Sequence, residues 1–523
     1  MVGCLPWVVE AHWRIWGSKK PFNDHYLLTP IAQALVDSAA SAAEASMKTS
    51  GGKRVLIFAT LHYWIRHTAL TGLALAGCGH DVTLAYLPYS NWRSPVSRLL
   101  LRRRILHTDA VMRSTENVLK TVCWLRRPRG FRLPEQVQKA VQDVSLMDAQ
   151  YTLQAEHIDP SNPVYRLRLK RNHDVAAAAL AYLSRHRPDV VIVPNGVILE
   201  FGMVYAVARY LGIRTVTYEF GEQSNRIWLA QNAQIIRHET DDLWVARKRE
   251  PLTDEQRVWL NTFFFARQAT QRGDSFARLW QETGRQGGAR VRRELGLDDR
   301  PVVLFTTNVL GDSLTLGRQL LGSTMSEWIT LLVKYFASRH DVQLVVRIHP
   351  GENLTKGPSV TGVIRAALPE LPEHIHLIGP KDKVNTYDLM EVSSLGLVYT
   401  TTSGLEMAAR GLPVMTAGKT HYRGRGFTID TDSYQEFFTT LDRVLSDLPA
   451  YHLKPEQIAL AWNYAYRFFR EFPRPFPWHI LHLAADYHGK PMHHVLSPEG
   501  KQQYDSTFRF LVGEPLDWKA IGE

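Results

Sequence analysis

Cysteine is scarce in this chain: Cys4, Cys78 and Cys123 are the only three in 523 residues. None forms a C-x-x-C, and no cluster of Cys and His follows a zinc-finger pattern, so a disulfide scaffold and a zinc framework are not expected. Thiols this few suit a reducing compartment. No apolar run reaches eighteen residues, so no membrane-crossing helix is expected. The opening stretch MVGCLPWVVEAHWRIWGSKK lacks a basic segment before its apolar part and is broken by Glu10, His12 and Arg14. It does not read as a signal peptide. No G-x-x-x-x-G-K-[ST] occurs, and no G-x-G-x-x-G follows a strand, which removes support for kinase, ATPase and simple dehydrogenase chemistry. There is no repeat at solenoid period and no low-complexity tract.

The rest of the composition is that of an ordinary globular protein. Apolar residues make up 45% and charged residues 22%, and 14 tryptophans and 20 tyrosines argue against disorder. The length exceeds what one core serves, so two or more domains are expected. Sixty-two basic against 51 acidic residues leave a formal charge of +11, which suits an anionic partner without choosing among nucleotide, acidic glycan, membrane and nucleic acid.

Short buried-strand patterns alternate with helical ones twice along the chain. RVLIFAT (54–60), GHDVTLAYLP, HRPDVVIVPNG (186–196) and IRTVTYEFGEQ read as strands of a first α/β domain reaching about residue 250. LHYWIRH reads as a polar loop after the first strand, and the arginine-rich stretch 98–129 as helical. Residues 252–297 form a charged helical connector. PVVLFTTNVLGDS, DVQLVVRIHPGE, HIHLIGP, LGLVYTTTS and LPVMTAG then give a second α/β series, and PEQIALAWNYAYRFFREF an aromatic amphipathic helix. The division predicted is an N-terminal extension over 1–53, domains over 54–297 and 298–455, and C-terminal helices over 456–523. Two such domains suggest a cleft between two parallel sheets, and ligands of such sheets sit at the carboxyl ends of the strands. The unusual polar residues fall there, after 60, 194, 219, 305, 347 and 400.

Three of these strand ends carry candidate chemistry. In YTTTSGLEMAARGLPV (399–414), Ser403 and Glu406 form a capping-box pattern that leaves Thr400, Thr401 and Thr402 unexplained. The competing reading is a phosphate site of hydroxyls with a glutamate one turn in, placed to accept both ribose hydroxyls. In VVRIHPG (345–351), Pro350 would stiffen a loop that turns Arg347 and His349 toward a phosphate, or the pair simply ends a strand. In AGKTHYRGRGFT (417–428), glycines alternate with Lys419, His421, Tyr422, Arg423 and Arg425: an exposed basic loop, or backbone and cations gathered round an anion. The D-x-D at 430–432 reads as the lead-in to a helix and not as a metal site.

RIHP, VNTYDLM, VYTTTSGLEMAARGLPVMTAGKTHYRGRGFT and NYAYRFF resemble the capsule polysaccharide biosynthesis glycosyltransferases, the group that includes capsular β-Kdo transferases. The likeness is clearest over 341–475 and weaker over 186–232, where VPNG and TVTYEFGE match strand-end features. It implies a GT-B fold: two Rossmann-like domains facing a cleft, with C-terminal helices crossing back. It implies that Arg347, His349 and Pro350 face the donor's phosphate, that Thr401, Thr402 and Ser403 bind that phosphate or the sugar carboxylate, and that Glu406 binds the ribose. Tyr422 stands where the family often has an aromatic residue. Where its Kdo enzymes tend to have Pro-Phe-Tyr, this chain has Thr420-His421-Tyr422.

Such chemistry needs a base for the acceptor and charge stabilisation for the leaving phosphate, with no cofactor and no metal expected. Glu219 and Glu222, at a strand end of the first domain, are the leading bases. Glu219 paired to an arginine such as Arg226 is the structural alternative. His62 and His67 come next. The expected partners are a nucleotide-sugar donor and a polysaccharide or lipid-linked glycan acceptor, not nucleic acid. RLLLRRRILH (98–107) reads as a solvated basic helix, or as a peripheral contact with the inner face of the cell membrane in a cytoplasmic protein. A nucleotide-sugar epimerase and a non-catalytic assembly protein are the competing functions. The epimerase would need no acceptor groove, and the assembly protein would lose the first-domain base.

Overall fold

The computed structural model describes residues 29–47, 51–89, 91–125, 132–269 and 283–521, together with Val8, Ala11 and Ile15. Cys4, most of the opening segment, residues 126–129 of the arginine-rich stretch and 270–282 of the connector lie outside the described residues. The chain forms two compact units. Unit 1 takes the described residues up to Thr152, Asp159–His238 and Pro473–Asp517; unit 2 takes Leu153–Ile158, Glu239–Phe472 and the chain from Trp518.

Unit 1 is built on a seven-stranded sheet of β1 (Arg54–Thr60), β2 (Asp81–Leu87), β3 (Leu119–Cys123), β4 (Val190–Pro194), β5 (Arg214–Glu219), β6 (Arg226–Gln231) and β13 (Arg474–Pro475). Its order is β13-β6-β5-β4-β1-β2-β3, with β6 antiparallel to both its neighbours, β5 and β13, and β1–β5 mutually parallel. β1 and β4 are covered on both faces, which is why they read as unbroken apolar runs. The chain returns to this unit at Pro473, and β13 closes the sheet edge.

Two expectations change here. LHYWIRH is not a loop: the helix His62–Gly77 starts directly after β1, with Leu61 turning the chain at φ 65°. Trp64, Ile65, Thr68 and Ala69 share its buried face at helical spacing, and the polar residues between them disguise the period. Among its described residues the stretch 98–129 is helical over Arg98–Met112 with a short turn to Thr115, after which LKTVC becomes β3 beside β2.

Unit 2 holds β7 (Val302–Thr306), β8 (Gln343–Arg347), β9 (Ile375–Ile378), β10 (Leu395–Val398), β11 (Val414–Thr416) and β12 (Ile429–Asp430), all parallel, in the order β12-β11-β10-β7-β8-β9. Counted from β7 this is 3-2-1-4-5-6 read from the other edge, the dinucleotide-fold order, and the five parallel strands of unit 1 follow its first part. Both units are therefore Rossmann-like. The order reverses between β1 and β4 in unit 1 and between β7 and β10 in unit 2, which is where such sheets open a crevice for ligands. The core of unit 2 packs Phe305, Trp328, Leu332, Leu344, Leu397, Phe437 and Leu441 on the sheet.

Leu153–Ile158 belongs to unit 2 although its neighbours in sequence belong to unit 1. It is seated by glycines that leave room for its backbone: a Cβ on Gly357 would stand 2.4 Å from the Gln154 carbonyl oxygen. Glu156 then accepts the Met325 and Ser326 amides at 2.7 and 3.0 Å, at the N-terminus of the helix Met325–Ala337. A carboxylate at this position satisfies two orphan donors and meets the positive end of the helix. Glu156→Ala is expected to lower stability by about 2 kcal/mol, with Glu156→Gln recovering part of it, as read by urea denaturation.

Candidate functional site

In unit 2 the crevice at the strand-order reversal is lined by hydroxyls. Thr306, the last residue of β7, pairs across the sheet with Val398 of β10 and Arg347 of β8. Its hydroxyl lies 2.7 Å from the Ser403 hydroxyl, so this contact spans the point where the order reverses. Ser403 also reaches Thr401 Oγ1 at 3.2 Å. On the other side, Thr307 Oγ1 accepts the His349 amide at 3.0 Å. Two successive threonines, the last of β7 and the residue after it, thus hold Ser403 on one flank and His349 on the other. In sequence they appear only as the strand end FTTN and were missed; its likeness to the TTTS run was the available signal.

His349 caps the short turn Pro350–Leu354, with Nδ1 accepting the Gly351 amide at 3.0 Å. An Nδ1 that accepts places the neutral ring's proton on Nε2, which makes that nitrogen a donor. Arg347 is 4% exposed and leans toward β9, donating to the Gly379 carbonyl. Its Nε is buried without a hydrogen-bond partner. Burial pulls its guanidinium down to about 10, and Asp382 opposes that shift.

The capping-box reading of Ser403 and Glu406 does not describe the structure. The helix is Ser403–Ala408, its cap is Thr402, and no side chain makes the cap bond. Glu406, 3% exposed, accepts instead from Arg267 Nη2 at 2.8 Å. The partner lies 139 residues away, which no local pattern could reveal. Thr400 is fixed by Asn308, whose Oδ1 takes its amide at 3.1 Å, and by the Leu314 carbonyl.

The glycine-rich loop is not an exposed basic loop. Tyr422 is fully buried and donates to the Thr401 carbonyl at 2.6 Å, so it supports the hydroxyl cluster from behind. Gly404 makes room for it, since a Cβ there would stand 2.3 Å from the phenol oxygen. Arg423 binds Thr416 Oγ1, the Thr431 carbonyl and Asp432. His421 stacks on Phe468 at 3.8 Å, and Tyr464 donates to the His421 carbonyl, which explains the aromatic helix that follows. Lys419 is exposed, and its carbonyl accepts from the buried Arg318 at 3.1 Å. Asp430 and Asp432 serve this loop, while Ser433 caps the helix Tyr434–Ser446. Among the described residues, no group of three or more His, Cys, Asp or Glu side chains is arranged to hold a metal.

In unit 1 the corresponding strand ends bring together Tyr63, Asn195 and Glu219. Asn195 and Gly196 follow β4 with φ of 35° and 78°. Asn195 Oδ1 accepts the Val197 and Ile198 amides at 2.9 and 3.0 Å, and its side chain also hydrogen-bonds Glu219. Glu219, at the end of β5, takes the Phe220 amide at 3.0 Å. Burial pushes its carboxyl up to about 7, against the pull of these two donors. Its charge adds to burial in pushing the Tyr63 phenol to about 12. Arg226 donates to the Pro473 carbonyl at 2.8 Å. Glu222 is half-buried in the loop beyond β5, and His62 half-buried at the start of its helix. His67 is fully buried between the Tyr218 phenol and the Trp478 carbonyl, and burial draws it down to about 3. A ring so enclosed is a core residue. Asn195 and Tyr63 are the residues missed at this site; the strand-end asparagine-glycine was the available signal for the first.

The Arg98–Met112 helix is neither wholly solvated nor a free basic face. Arg104 is 4% exposed, and burial lowers its guanidinium to about 10.

Residues 267–461 match the family described as capsule polysaccharide biosynthesis protein. That span contains every candidate of unit 2, while His62, Glu219 and Glu222 lie outside it. No curated protein matches the sequence. Among solved structures, the chain is similar to a β-Kdo 2,4 transferase, KpsC of Thermosulfurimonas dismutans, at 15% identity and TM-score 0.36 over 55% of this chain and 82% of that one. A β-Kdo 2,7 transferase of KpsC from the same organism gives 12% and 0.32 over 55% and 79%. The UDP-GlcNAc 2-epimerase of Neisseria meningitidis bound to UDP-GlcNAc gives 12% and 0.25 over 81% and 99%.

Proposed function

We propose that this protein is a glycosyltransferase of capsule or surface polysaccharide assembly, moving a sugar from a nucleotide-sugar donor to a polysaccharide or lipid-linked glycan acceptor. The observation that carries the reading is the Thr306–Ser403 contact across the strand-order reversal of unit 2, inside the capsule-family region. A reversal point lined by hydroxyls, with an imidazole Nε2–H beside it, suits a phosphate. His349 and the Thr401–Ser403 hydroxyls meet the leaving phosphate, and Arg347 supplies positive charge from the next strand end. The helix Ser403–Ala408 has only six residues, so side-chain donors and not its dipole do most of the binding. Lys419 is the exposed cation of the glycine-rich loop, and Tyr422 and Arg423 hold that loop in shape. Glu219, with an acidity near neutral, is the base that takes the acceptor's proton. No metal is needed for these steps. Among the described residues no helix is long and apolar enough to cross a membrane, and work on a lipid-linked acceptor would place the protein at the inner face of the cell membrane.

The test is calorimetric titration with CMP, UDP, GDP and dTDP, with and without EDTA. At least one nucleotide is expected to bind in EDTA. His349→Ala and Ser403→Ala are each expected to weaken it about tenfold or more, the scale of a lost hydrogen bond to a charged group. Loss of all binding on chelation would reject the metal-free site, and unchanged affinity in both variants would move the phosphate elsewhere.

A further inference from the structure

A cavity of 260 Å³ in unit 2 opens beside Glu406, lined by Asn261, Phe264 and Gln268 of the helix Asp254–Ala269, by Arg410, and by Trp462 of the helix Pro455–Tyr466. Its walls combine three kinds of surface. Phe264 and Trp462 meet edge to face at 5.7 Å, and Trp462 is locked by its Nε1 bond to the Ala409 carbonyl at 2.7 Å. Asn261 and Gln268 supply amides, and Gln268 Oε1 is already held by Arg285 at 3.2 Å. Glu406 supplies a carboxylate that accepts from Arg267 through Oε1 and also hydrogen-bonds the Tyr387 phenol.

We infer that this cavity seats the nucleoside end of the donor, its base against Phe264 and Trp462 and its polar edge read by Asn261 and Gln268. The inference rests on the donor site proposed above and extends it to a helix outside the strand-end loops. Ring faces suit a heteroaromatic base, and amides present the paired donor and acceptor that a base edge presents. The spacing agrees. Glu406 lies three residues beyond Ser403, about 4.5 Å along a helix axis, so a phosphate at the hydroxyl cluster places the next sugar beside the carboxylate. Ala409 and Arg410 carry the cavity one turn further, where the base would follow. A vicinal diol brings two further O–H donors to a carboxylate placed at that distance.

The experiment compares the double variant Asn261→Ala/Gln268→Ala with Ser403→Ala in the full chain, titrating each with CMP, UDP, GDP and dTDP. Asn261 is exposed and Gln268 half-buried, so the fold should tolerate the change, which thermal melting verifies. The double variant is expected to bind the preferred nucleotide at least tenfold more weakly and to lose discrimination among the four. Ser403→Ala is expected to weaken all four alike and keep their ranking. If the double variant keeps both affinity and ranking while Ser403→Ala loses affinity, the donor reading stands and this inference is overturned. If the unmodified protein binds none of the four, the donor reading falls and this inference falls with it. Phe264→Leu provides a second variant: unchanged ranking and affinity there would count against the base wall independently of the amides.

Discussion

Glu219→Gln is expected to cut turnover by about two to four orders of magnitude, the range for loss of a general base, while nucleotide affinity stays near that of the parent. The same substitution should make the protein more stable above neutral pH. Glu219 titrates near 7 in the folded chain, above its ordinary 4.5, because burial disfavours the charge. A carboxyl raised on folding favours the folded state while it is protonated. Its contribution is therefore complete below about 4.5 and is lost as the pH climbs through 7. Glutamine never ionises, so at pH 8 it keeps what the parent has lost, about 2 kcal/mol after allowing for partial exposure. It still accepts the Phe220 amide. The two readouts together separate a base from a bracing carboxylate: a bracing residue would show the stability change and leave turnover alone. The acid limb of kcat/KM should also fall near pH 7 in the parent. If Glu219→Gln and Glu222→Gln both retain normal turnover, His62 becomes the candidate base; His67 does not, since it is enclosed in the core.

How much of this was readable in advance follows the range of the interactions. The parallel strands were legible because a strand covered on both faces is a short apolar run with a sharp polar end, and RVLIFAT matches β1 residue for residue. The strand-end hydroxyls and His349 were legible for the same reason, as polar residues where apolar runs stop. Residues whose role depends on a distant partner were not. Glu406 looked like a cap because its local pattern allows one, whereas Arg267 supplies a stronger, charged donor. Tyr422 and Arg423 looked exposed because glycines flank them, but Thr401, Asp432 and the aromatic helix bury or bind them. The helix after β1 was hidden because one of its buried positions, His67, is polar and Arg66 stands beside it.

The least legible feature supports the unit 1 site from beneath. Asp148, Arg168 and Glu200 are ordinary charged residues in sequence, on three helices, yet all are at most 1% exposed. Arg168 donates to Asp148 through Nε and pairs with Glu200 through Nη2 at 3.0 Å. Asp148 also takes the amide of Leu199, which stands at φ 55° where the chain leaves the Asn195 loop. Arg168→Met is expected to cost about 3–5 kcal/mol at pH 8, because it removes the ion-pair partner of two buried carboxylates. Urea denaturation measures it. The loss should shrink as pH falls. Burial already pushes Asp148 upward, opposed mainly by Arg168, so without the guanidinium its folded value rises further above the unfolded one. Stability of the variant is then highest below the unfolded carboxylate range and declines as pH rises through the folded value. A loss equal at pH 5 and pH 8 would assign the effect to packing of the long side chain and not to its charge. Arg168→Lys keeps the charge but loses the forked geometry, and should recover only part of the loss.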